Sequence, residues 1–420
     1  MAERLVVWLY GTPVATLTPA RDYRIDMAWR AEGIDRWARG SRVLSVSLPL
    51  GSPIGPRDTR GLDFFENILP EGAALTGMAA LAGVRPADTF GILAAFGHDC
   101  AGAIMVLPDG ELPGACTRSG YAPMTGGVLR RVIDSLDVAP LGAAPERGFR
   151  PSLAGFQRKA LVSRAADGSW QLPSGDAPST WILKPDGPHA MASNEATCLR
   201  LGVACGLEVP EIELLDLGVP VLAVKRYDRR ESPDGLVRVH QEDGCQATGT
   251  PLAMKYQEQG GPGLRDLATM LRDFSDPASV IDLLRRTAFN MAVGNADAHA
   301  KNLSVLHSAD GSAVTLAPLY DVLSTVALEL TDGAGRPMRA DTLLGQRVGG
   351  QSDILKVTAA DLADEAVSWG IRRRTAIAVV TDMLDRVTRA AGTSAGDERV
   401  LNQVSRQAAR VSGRVALPER

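Results

Sequence analysis

Apolar and polar residues in the first part of the chain alternate as they do in strands and then in short helices. Leu5–Tyr10 is an apolar run closed by Gly11-Thr12-Pro13, which predicts a strand that ends in a turn. Tyr23–Ile25 and Val43–Leu48 predict further strands, the second alternating with a period of two up to Pro49. Short helices are then predicted at Phe64–Leu69, Ala73–Leu81 and Phe90–Ala95.

A stretch rich in Pro, Gly and Ala, from about residue 107 to 150, follows these helices and contains one predicted helix around Val128–Leu136. Beyond it the pattern predicts strands again. Asn194 is expected to cap a helix over Glu195–Cys205 that Gly206 ends. The predicted strands are Ala160–Arg164, Trp170–Leu172, Trp181–Lys184, Ile212–Leu215 and Val221–Tyr227, with a hairpin turn at Asp167-Gly168.

After His240 the chain is predicted to be helical, except for a strand pair at Leu303–His307 and Val314–Leu319. This order predicts an α+β fold: a two-lobed protein-kinase-like core with a β-rich N-terminal subdomain and an all-helical C-terminal lobe. The predicted boundaries are a β-rich N-terminal module over 1–110, a connecting segment over 111–149, a kinase-like N-lobe over 150–230 and a helical C-lobe with the catalytic loop over 231–420. Order alone is weak support, because many α+β enzymes share it.

Composition excludes several classes of protein. The 420 residues carry a formal net charge of −4, so the whole molecule has no electrostatic reason to coat nucleic acid. Five scattered cysteines without a C-x-x-C pair predict reduced thiols rather than a disulfide framework or a structural zinc site. No window approaches the roughly 18–20 apolar residues of a membrane span, and the N-terminus lacks the features of a signal peptide. We therefore expect a cytoplasmic protein with no membrane partner.

Candidate chemistry is concentrated in the segment Gly294–Asn302 and in Leu319-Tyr320-Asp321. Phosphoryl transfer needs a carboxylate that orients the attacking hydroxyl and oxygen ligands for magnesium. Asp297 and Asn302, five residues apart on a loop after a predicted buried helix, can supply both, and Asp321 can complete the metal site. The alternative is that Asp297 and Asn302 only cap and turn a loop.

Two neighbours in this segment are open to more than one interpretation. His299 has no ligand-spaced histidine partner, so a structural role, such as a hydrogen bond to a loop carbonyl or to a catalytic carboxylate, is favoured over metal binding. Lys301 either contacts the transferring phosphoryl group or is solvated, and the functional interpretation is slightly favoured.

Several residues upstream of this segment are candidates for binding the phosphates of a nucleotide. Lys184 ends an apolar strand, where a lysine can reach α- and β-phosphate oxygens, although a strand-edge lysine is also common. Glu195 either pairs with Lys184 or is a helix-start carboxylate favoured by the helix dipole. The loop Ser152–Lys159 is a candidate phosphate-facing loop through Ala154, Gly155, Gln157 and Lys159, but it matches neither a Walker A motif nor G-x-G-x-x-G.

The segment Val224–Arg230 is predicted to link the lobes. Lys225 and Tyr227 lie where adenine pairs with a hinge and packs against an aromatic ring, although a strand-end aromatic fits Tyr227 equally well. Glu242 and Asp243 are either carboxylates at a helix N-terminus or acids on the substrate side, and the sequence does not decide between them.

Together these segments resemble the HipA family of bacterial toxin kinases, and the resemblance spans nearly the whole chain. The other similar segments are Phe64–Gly72, Gly97–Ala103, Ile182–Lys184, Asn194-Glu195 and Gln241–Gln246. The resemblance implies a serine/threonine protein kinase that uses ATP and Mg²⁺. Its best-known substrate type is an aminoacyl-tRNA synthetase.

The resemblance also implies roles for particular residues. Asp297 would be the catalytic base, Asn302 and Asp321 would hold magnesium, and Lys184 would contact the nucleotide phosphates. Ser152 lies where the family carries a self-phosphorylated serine. A small helix-turn-helix antitoxin of the HipB type is the implied partner, and DNA would be bound only indirectly through it.

The chain departs from the family at two positions. Lys225 stands where the hinge commonly carries an acidic residue, and Arg158 follows Gln157 where other members often have Glu or Pro. Two other functions stay open: a kinase that acts on a small molecule, and a catalytically silent kinase-like corepressor that acts with a DNA-binding antitoxin. A metal hydrolase is disfavoured, because the histidines lack ligand spacing.

Overall fold

The structure is a computed structural model. It describes residues 2–55, 58–116, 119–187, 189–233, 235–331, 336–338 and 340–413. The chain divides into two compact units, each assembled from three segments. The first unit contains Met1–Pro185, Ala223–Leu252 and Val305–Val314, and the second contains Asp186–Leu222, Ala253–Ser304 and Thr315–Arg420.

Strands and helices are mixed throughout the described residues, which confirms the predicted α+β class. The strands are β1 Leu5–Leu9, β2 Thr12–Pro19, β3 Ile25–Trp29, β4 Ile104–Pro108, β5 Gly120–Pro123, β6 Ala160–Arg164, β7 Trp170–Ser174, β8 Trp181–Pro185, β9 Ile212–Asp216, β10 Pro220–Lys225, β11 Arg229–Ser232, β12 Gly235–Arg238, β13 Gln241–Asp243, β14 Ser304–His307, β15 Val314–Leu316, β16 Leu330–Thr331, β17 Pro337–Met338, β18 Leu343–Val348 and β19 Gln351–Asp353.

The α-helices of the described residues are α1 Ala31–Trp37, α2 Arg60–Glu66, α3 Gly72–Ala82, α4 Thr89–Phe96, α5 Gly126–Asp134, α6 Met191–Ala204, α7 Gly244–Thr248, α8 Leu264–Phe274, α9 Pro277–Val293, α10 Ala359–Ser368, α11 Arg373–Ala391 and α12 Glu398–Val411. Short 3₁₀ turns lie at Arg21–Tyr23, Pro145–Arg147, Leu252–Met254, Gln257–Gln259, Ala300–Asn302 and Thr325–Ala327. Among the helices of the described residues, none combines the length and apolar character that a membrane crossing requires.

The N-terminal sheet of the first unit has the order β3-β2-β1-β4, with antiparallel neighbours. Strand β1 turns directly into β2 through Tyr10 and Gly11, both at positive φ (50° and 75°). Two such residues form the tight hairpin turn whose twist matches that of the strands. Leu5, Val7 and Leu9 of strand β1 are fully buried, so this sheet contributes to the core of the first unit.

A second antiparallel sheet of the same unit includes β5, β7, β6 and β8 as consecutive neighbours. Its β6–β7 hairpin turns at Asp167-Gly168, as predicted, with Gly168 at φ 85°. Strand β8 carries Lys184, whose side chain is buried.

Val43–Leu48 was expected to be a strand, and that prediction is wrong, because the segment has no regular secondary structure. Its polar groups bond to a buried side chain instead of to a neighbouring strand. The Val46 N–H and the Ser45 hydroxyl donate to the Glu242 carboxylate at 2.8 and 2.6 Å. The alternation of residues therefore reports burial on one side of an irregular segment and not a β-ladder.

Helices dominate the second unit, but the strand pairs β16–β17 and β18–β19 interrupt them, so the C-terminal lobe is not all-helical as predicted. Helix α9 is central and packs against α8, α10, α11 and α12. Asp276 caps its start by accepting a hydrogen bond from the Ser279 N–H at 2.9 Å, and Pro277 occupies its first turn. Leu283, Leu284, Thr287, Ala288 and Met291 are all buried, as their spacing predicts.

Candidate active site

The loop that carries the candidate catalytic residues begins where α9 ends. Gly294 ends the helix in the left-handed conformation (φ 79°), and its N–H donates to the Asn290 carbonyl. A Cβ at Gly294 would lie 2.4 Å from a methyl group of Val326, so only glycine fits this position without rearrangement. The direction in which the loop leaves the helix is therefore fixed by backbone geometry.

Neighbouring segments hold the next residues of the loop. The Thr325 hydroxyl accepts from the Ala296 N–H at 2.9 Å and donates to the Gly294 carbonyl at 3.0 Å. The Ala296 carbonyl in turn accepts from the Gly345 N–H at 2.8 Å. These three bonds fix the backbone on the N-terminal side of Asp297.

Asp297 itself is solvent-exposed in the second unit. Its Oδ1 accepts a hydrogen bond from the Tyr256 hydroxyl at 2.8 Å. Its backbone carbonyl accepts from the His299 N–H at 2.8 Å and from the Asn302 side-chain amide at 3.0 Å. The carboxylate thus sits at the surface on a loop that is closed on itself, which is a suitable arrangement for a base that must receive a substrate hydroxyl.

A tyrosine joins this loop to the segment that carries Asp321. The Tyr320 hydroxyl donates to the Lys301 carbonyl at 2.7 Å and therefore accepts from the Ser304 hydroxyl at 2.6 Å. Lys301 and Tyr320 are the immediate neighbours of Asn302 and Asp321, so the structure brings together the two segments that the sequence paired. Asp321 adopts a left-handed φ of 54°, a conformation that costs energy for most residues and is tolerated best by Asn, Asp and Gly.

The donor set of Asn302 and Asp321 fits magnesium, which prefers carboxylate and amide oxygens. The side-chain nitrogen of Asn302 donates to the Asp297 carbonyl, so the side-chain oxygen of Asn302 points away from that bond. Among the residues that the structure describes, no three His, Cys, Asp or Glu side chains gather at metal-binding geometry.

Asn194 was predicted to cap a helix, but α6 begins three residues earlier, at Met191. The carboxylate of Asp186 accepts the first-turn N–H of Ala192 at 2.6 Å and so does what was assigned to Asn194. Asn194 is buried inside the helix. Its side-chain amide donates to the Ser324 carbonyl at 3.0 Å and accepts from the Ser324 N–H at 2.8 Å, which anchors the chain three residues after Asp321.

Glu195, on the same helix, is almost completely buried, as are His299 and Lys301 on the loop. The solvated alternative for Lys301 is therefore excluded. The His299 ring meets the Tyr256 ring edge-on, with centroids 5.0 Å apart.

The candidate phosphate loop lies in the first unit and is partly closed. The Lys159 ammonium donates to the Ala154 carbonyl at 2.8 Å, across Gly155, whose φ is 115°. Ser152 is completely buried, and its hydroxyl donates to the Ile68 carbonyl at 3.3 Å. Gln157 is half-buried on this loop.

The segment Val224–Arg230, which was predicted to link the lobes, lies in the first unit. It carries the two candidate adenine-binding residues. Lys225 and Tyr227 are half-buried, and the Tyr227 hydroxyl donates to the side-chain carbonyl of Gln241. Between them, the Arg226 N–H donates to the Thr180 carbonyl at 2.8 Å.

A buried charge cluster lies next to this segment, and the sequence did not single it out. We define it as Asp99, Arg226, Asp228, Arg229 and Arg238. Arg226 and Arg229 also donate to the Cys100 carbonyl at 2.9 and 2.8 Å. The cluster ties the Gly97–Ala103 segment to the link segment.

Electrostatics within the cluster favour the charged forms of its acids. Burial alone would raise the pKa of Asp99, but Arg226, Arg229 and Arg238 hold it well below its usual range. Burial and the neighbouring charge of Arg226 lower the pKa of Arg229 to about 10. A carboxylate held ionised by two buried arginines and the half-buried Arg238 indicates a structural cluster in which each charge depends on the others.

The structure also settles the alternatives for Glu242 and Asp243. Asp243 caps α7, where its carboxylate accepts from the Gln246 N–H at 2.9 Å and the Gln246 side chain accepts from the Asp243 N–H. Glu242 is buried and bonds to Ser45, Val46 and His307. Asp243 is therefore a helix-start carboxylate, while Glu242 fixes the irregular segment described above.

Comparison with known proteins covers most of the chain. Residues 5–107 match the family model of the HipA N-terminal domain, and residues 151–391 match that of the HipA-like C-terminal domain. One similar protein of Sinorhizobium fredii, named "Putative kinase Y4mE", is 40% identical over 335 residues, which cover 77% of each chain. A second similar protein, named "Serine/threonine-protein kinase toxin HipA", from Shewanella oneidensis, is 30% identical over 303 residues, which cover 69% of this chain and 68% of the other.

A solved structure has a similar fold. It is the complex of the Shewanella oneidensis toxin HipA with HipB and its operator DNA. The TM-score is 0.78 at 24% identity, and the match covers 98% of this chain and 96% of the other. At that identity the likeness establishes the fold.

Proposed function

The chain belongs to the HipA family, and from that membership and the Asp297 loop we propose that it is an ATP-dependent serine/threonine protein kinase and the toxin of a toxin–antitoxin pair. The observation that carries the proposal is the exposed Asp297 carboxylate on a loop whose backbone is fixed on both sides. The kinase names of related proteins support phosphoryl transfer as the chemistry of this loop.

In the proposed reaction, the hydroxyl oxygen of an acceptor serine attacks the γ-phosphorus of ATP. The bond from that phosphorus to the bridging oxygen of the β-phosphate breaks, ADP leaves, and the serine proton passes to Asp297. Lys301, next to the metal ligand Asn302, would support the loop or the transferring group. The acceptor protein is proposed to be an aminoacyl-tRNA synthetase, by resemblance to the family.

ATP and Mg²⁺ are the proposed cofactors. Asn302 and Asp321 would hold Mg²⁺ through oxygen atoms, and the metal would neutralise charge that develops on the phosphates. Lys184 would contact phosphate oxygens and Glu195 would hold that lysine. The adenine side is assigned to Lys225 and Tyr227, and the loop side to Ala154, Gly155, Gln157 and Lys159.

Ser152 is the proposed site of self-phosphorylation. Because its hydroxyl is buried against the Ile68 carbonyl, the loop must leave its place before the hydroxyl can accept a phosphoryl group. A phosphoserine carries a charge of about −2 at neutral pH and would pair with Arg150, Arg158 or Lys159. Arg158 pairs with Asp137 at 2.9 Å, so it would exchange the Asp137 carboxylate for the phosphate group.

The effect of Ser152 is tested by incubating wild type and Ser152→Ala with Mg²⁺ and ATP before the assay. We expect wild type to lose activity during this incubation and the variant to keep it. Equal rates of loss in the two proteins would contradict self-inhibition through this serine.

A helix-turn-helix antitoxin of the HipB type is the proposed partner, since a related toxin has been solved with HipB and operator DNA. The net charge of −4 gives this chain no general attraction to DNA. We therefore propose that DNA is bound indirectly, through the antitoxin.

The central experiment uses Mg²⁺ and γ-labelled ATP with wild type, Asp297→Ala and the control Asp310→Ala. Asp310 is an exposed turn residue that bonds to Ser312. We expect label on protein, including Ser152, in wild type and the control, and none in Asp297→Ala. Absence of label from wild type that mass spectrometry shows to be unphosphorylated would refute the kinase and favour the corepressor. Label on small molecules alone would favour the small-molecule kinase.

A further inference from the structure

Tyr256 contacts the candidate base Asp297, and its sequence context did not indicate a role. Its hydroxyl donates to Asp297 Oδ1 at 2.8 Å. We propose that Tyr256 is a positioning residue that fixes the orientation of the Asp297 carboxylate for phosphoryl transfer. The effect on phosphoryl transfer rests on the proposed function, whereas the hydrogen bond that orients the carboxylate rests on the geometry alone.

The turn that carries Tyr256 is closed by hydrogen bonds of its own backbone. The Tyr256 carbonyl accepts two backbone hydrogen bonds, from the Gln259 N–H at 3.0 Å and from the Gly261 N–H at 3.1 Å. A Cβ at Gly261 would lie 1.9 Å from the Met254 carbonyl oxygen, so the turn closes only around a glycine. These contacts fix the backbone that carries the phenol.

A second set of contacts ties the same turn to the catalytic loop. The Lys255 carbonyl accepts from the Ala300 N–H at 3.3 Å, and the Tyr256 ring packs edge-on against His299. The contacts of Lys255 and Tyr256 therefore reach residues 297, 299 and 300 of one loop. The loop is therefore contacted in three ways: by the Lys255 backbone, by the Tyr256 ring and by the Tyr256 hydroxyl.

The chemistry of the phenol suits this task. A tyrosine has a pKa of about 10 in water, so at neutral pH its hydroxyl is a neutral donor that does not compete for the proton of the acceptor serine. A donor to the ionised carboxylate restricts its rotation and favours its charged form. Asn302 holds the main chain of Asp297 from the other side. Side chain and main chain of the base are thus fixed by different residues.

The kinetic test compares wild type with Tyr256→Phe, which keeps the ring against His299 and removes only the hydroxyl. Loss of a hydrogen bond to a charged group predicts roughly a tenfold lower kcat, with the KM for ATP and the KM for the protein acceptor within about twofold of wild type. The control is Tyr121→Phe, which removes a hydroxyl bonded to the Pro178 carbonyl in the first unit and is expected to leave kcat unchanged.

A double-mutant cycle decides whether Tyr256 acts through Asp297. In an Asp297→Asn background, Tyr256→Phe should cause no further loss of the residual kcat, because the positioned carboxylate is gone. Equal fold losses in both backgrounds would overturn the inference. A lower acceptor KM with raised kcat in Tyr256→Phe would also overturn it, because the phenol would then be occupying the place of the acceptor hydroxyl.

An NMR spectrum of the Asp297 carboxyl carbon, recorded without ATP at one neutral pH, tests the hydrogen bond without turnover, with Asp297→Asn used for assignment. The chemical shift of this carbon should differ between Tyr256→Phe and wild type, because the Tyr256 hydroxyl donates to Asp297 Oδ1, and it should be the same in Tyr121→Phe and wild type. An unchanged chemical shift in Tyr256→Phe overturns the inference whatever the kinetics show. If wild type transfers no phosphate but the chemical shift changes in Tyr256→Phe, the kinase proposal fails and the positioning of Asp297 by Tyr256 stands.

Discussion

Replacement of Asp99 by asparagine removes one charge from the buried cluster and almost no volume. The Asp99 carboxylate accepts five hydrogen bonds: from the Ser179 N–H and hydroxyl at 3.0 and 2.6 Å, and from Arg226, Arg229 and Arg238 at 3.4, 2.9 and 3.0 Å. In Asp99→Asn an amide –NH₂ replaces one of the accepting oxygens and faces these donors. Three arginines are then left with Asp228 as the one carboxylate of the cluster.

The magnitude follows from burial. Asp99 and Arg226 are each 2% exposed and Arg229 is 5% exposed, so water does not screen the lost charge. Removal of one partner from a buried ion pair costs about 3–5 kcal/mol. Because Asp99 has a lowered pKa, its contribution is fully present above the unfolded pKa of about 3.9 and is lost only as the pH falls towards the folded value. The full effect is therefore expected at pH 7.

Urea unfolding followed by tryptophan fluorescence measures this loss, because five of the six tryptophans lie in the first unit. With a urea m-value of up to about 3 kcal/mol/M, the midpoint should fall by about 1 M or more. The matched control is Asp134→Asn, which breaks the exposed pair of Asp134 with Arg130 and should cost under about 0.5 kcal/mol. If Asp99→Asn and Asp134→Asn unfold at the same urea midpoint, the cluster does not stabilise the fold as argued.

Three further predictions concern other residues. Burial lowers the pKa of His240 to about 3, so the free energy of unfolding should decrease by about 1.4 kcal/mol per pH unit below about pH 6.5, and a urea series on His240→Asn should show a flatter dependence. Asn194→Ala leaves the backbone of Ser324 without two hydrogen bonds and should cost about 2–3 kcal/mol in thermal unfolding; a loss under about 0.5 kcal/mol would contradict the anchor. Gly261→Ala places a Cβ 1.9 Å from a backbone carbonyl and should lower kcat with an unchanged circular dichroism spectrum, unlike Gly187→Ala, where nothing lies within 4 Å.

Much of the fold could be predicted from periodicity and turn chemistry. The helix α3 and the strand β8 were predicted to within one residue at each end, because apolar runs there are bounded by Gly or Pro. The strand β2 was missed because Thr12-Pro13 was interpreted only as the turn after β1, whereas both residues already belong to β2. The strand β4 was missed, since its partner β1 lies far away in the sequence. The wrong strand at Val43–Leu48 has the same cause, because its hydrogen-bonding partner Glu242 is almost 200 residues away.

The candidate site shows a similar division. Local spacing was enough to pair Asp297 with Asn302 and to connect them with Asp321. It could not find Tyr256, because a lone tyrosine between a lysine and a glutamine carries no pattern that distinguishes it from a surface residue. The charge cluster was equally invisible, because burial alone distinguishes its arginines from solvated ones, and burial is a property of the folded chain.

The three-segment composition of the first unit has a consequence for synthesis on the ribosome. Its last piece, Val305–Val314, is translated after the Gly294–Asn302 loop, and Trp37 depends on that piece for a hydrogen bond to the Ala309 carbonyl. At about 5–20 residues per second, roughly 15–60 s pass before the N-terminal strands can acquire these late neighbours. A transcript truncated anywhere before codon 314 therefore yields an incomplete first unit. The first unit can therefore be completed only after translation has passed Val314, when most of the second unit's helical segment after that residue has still to be made.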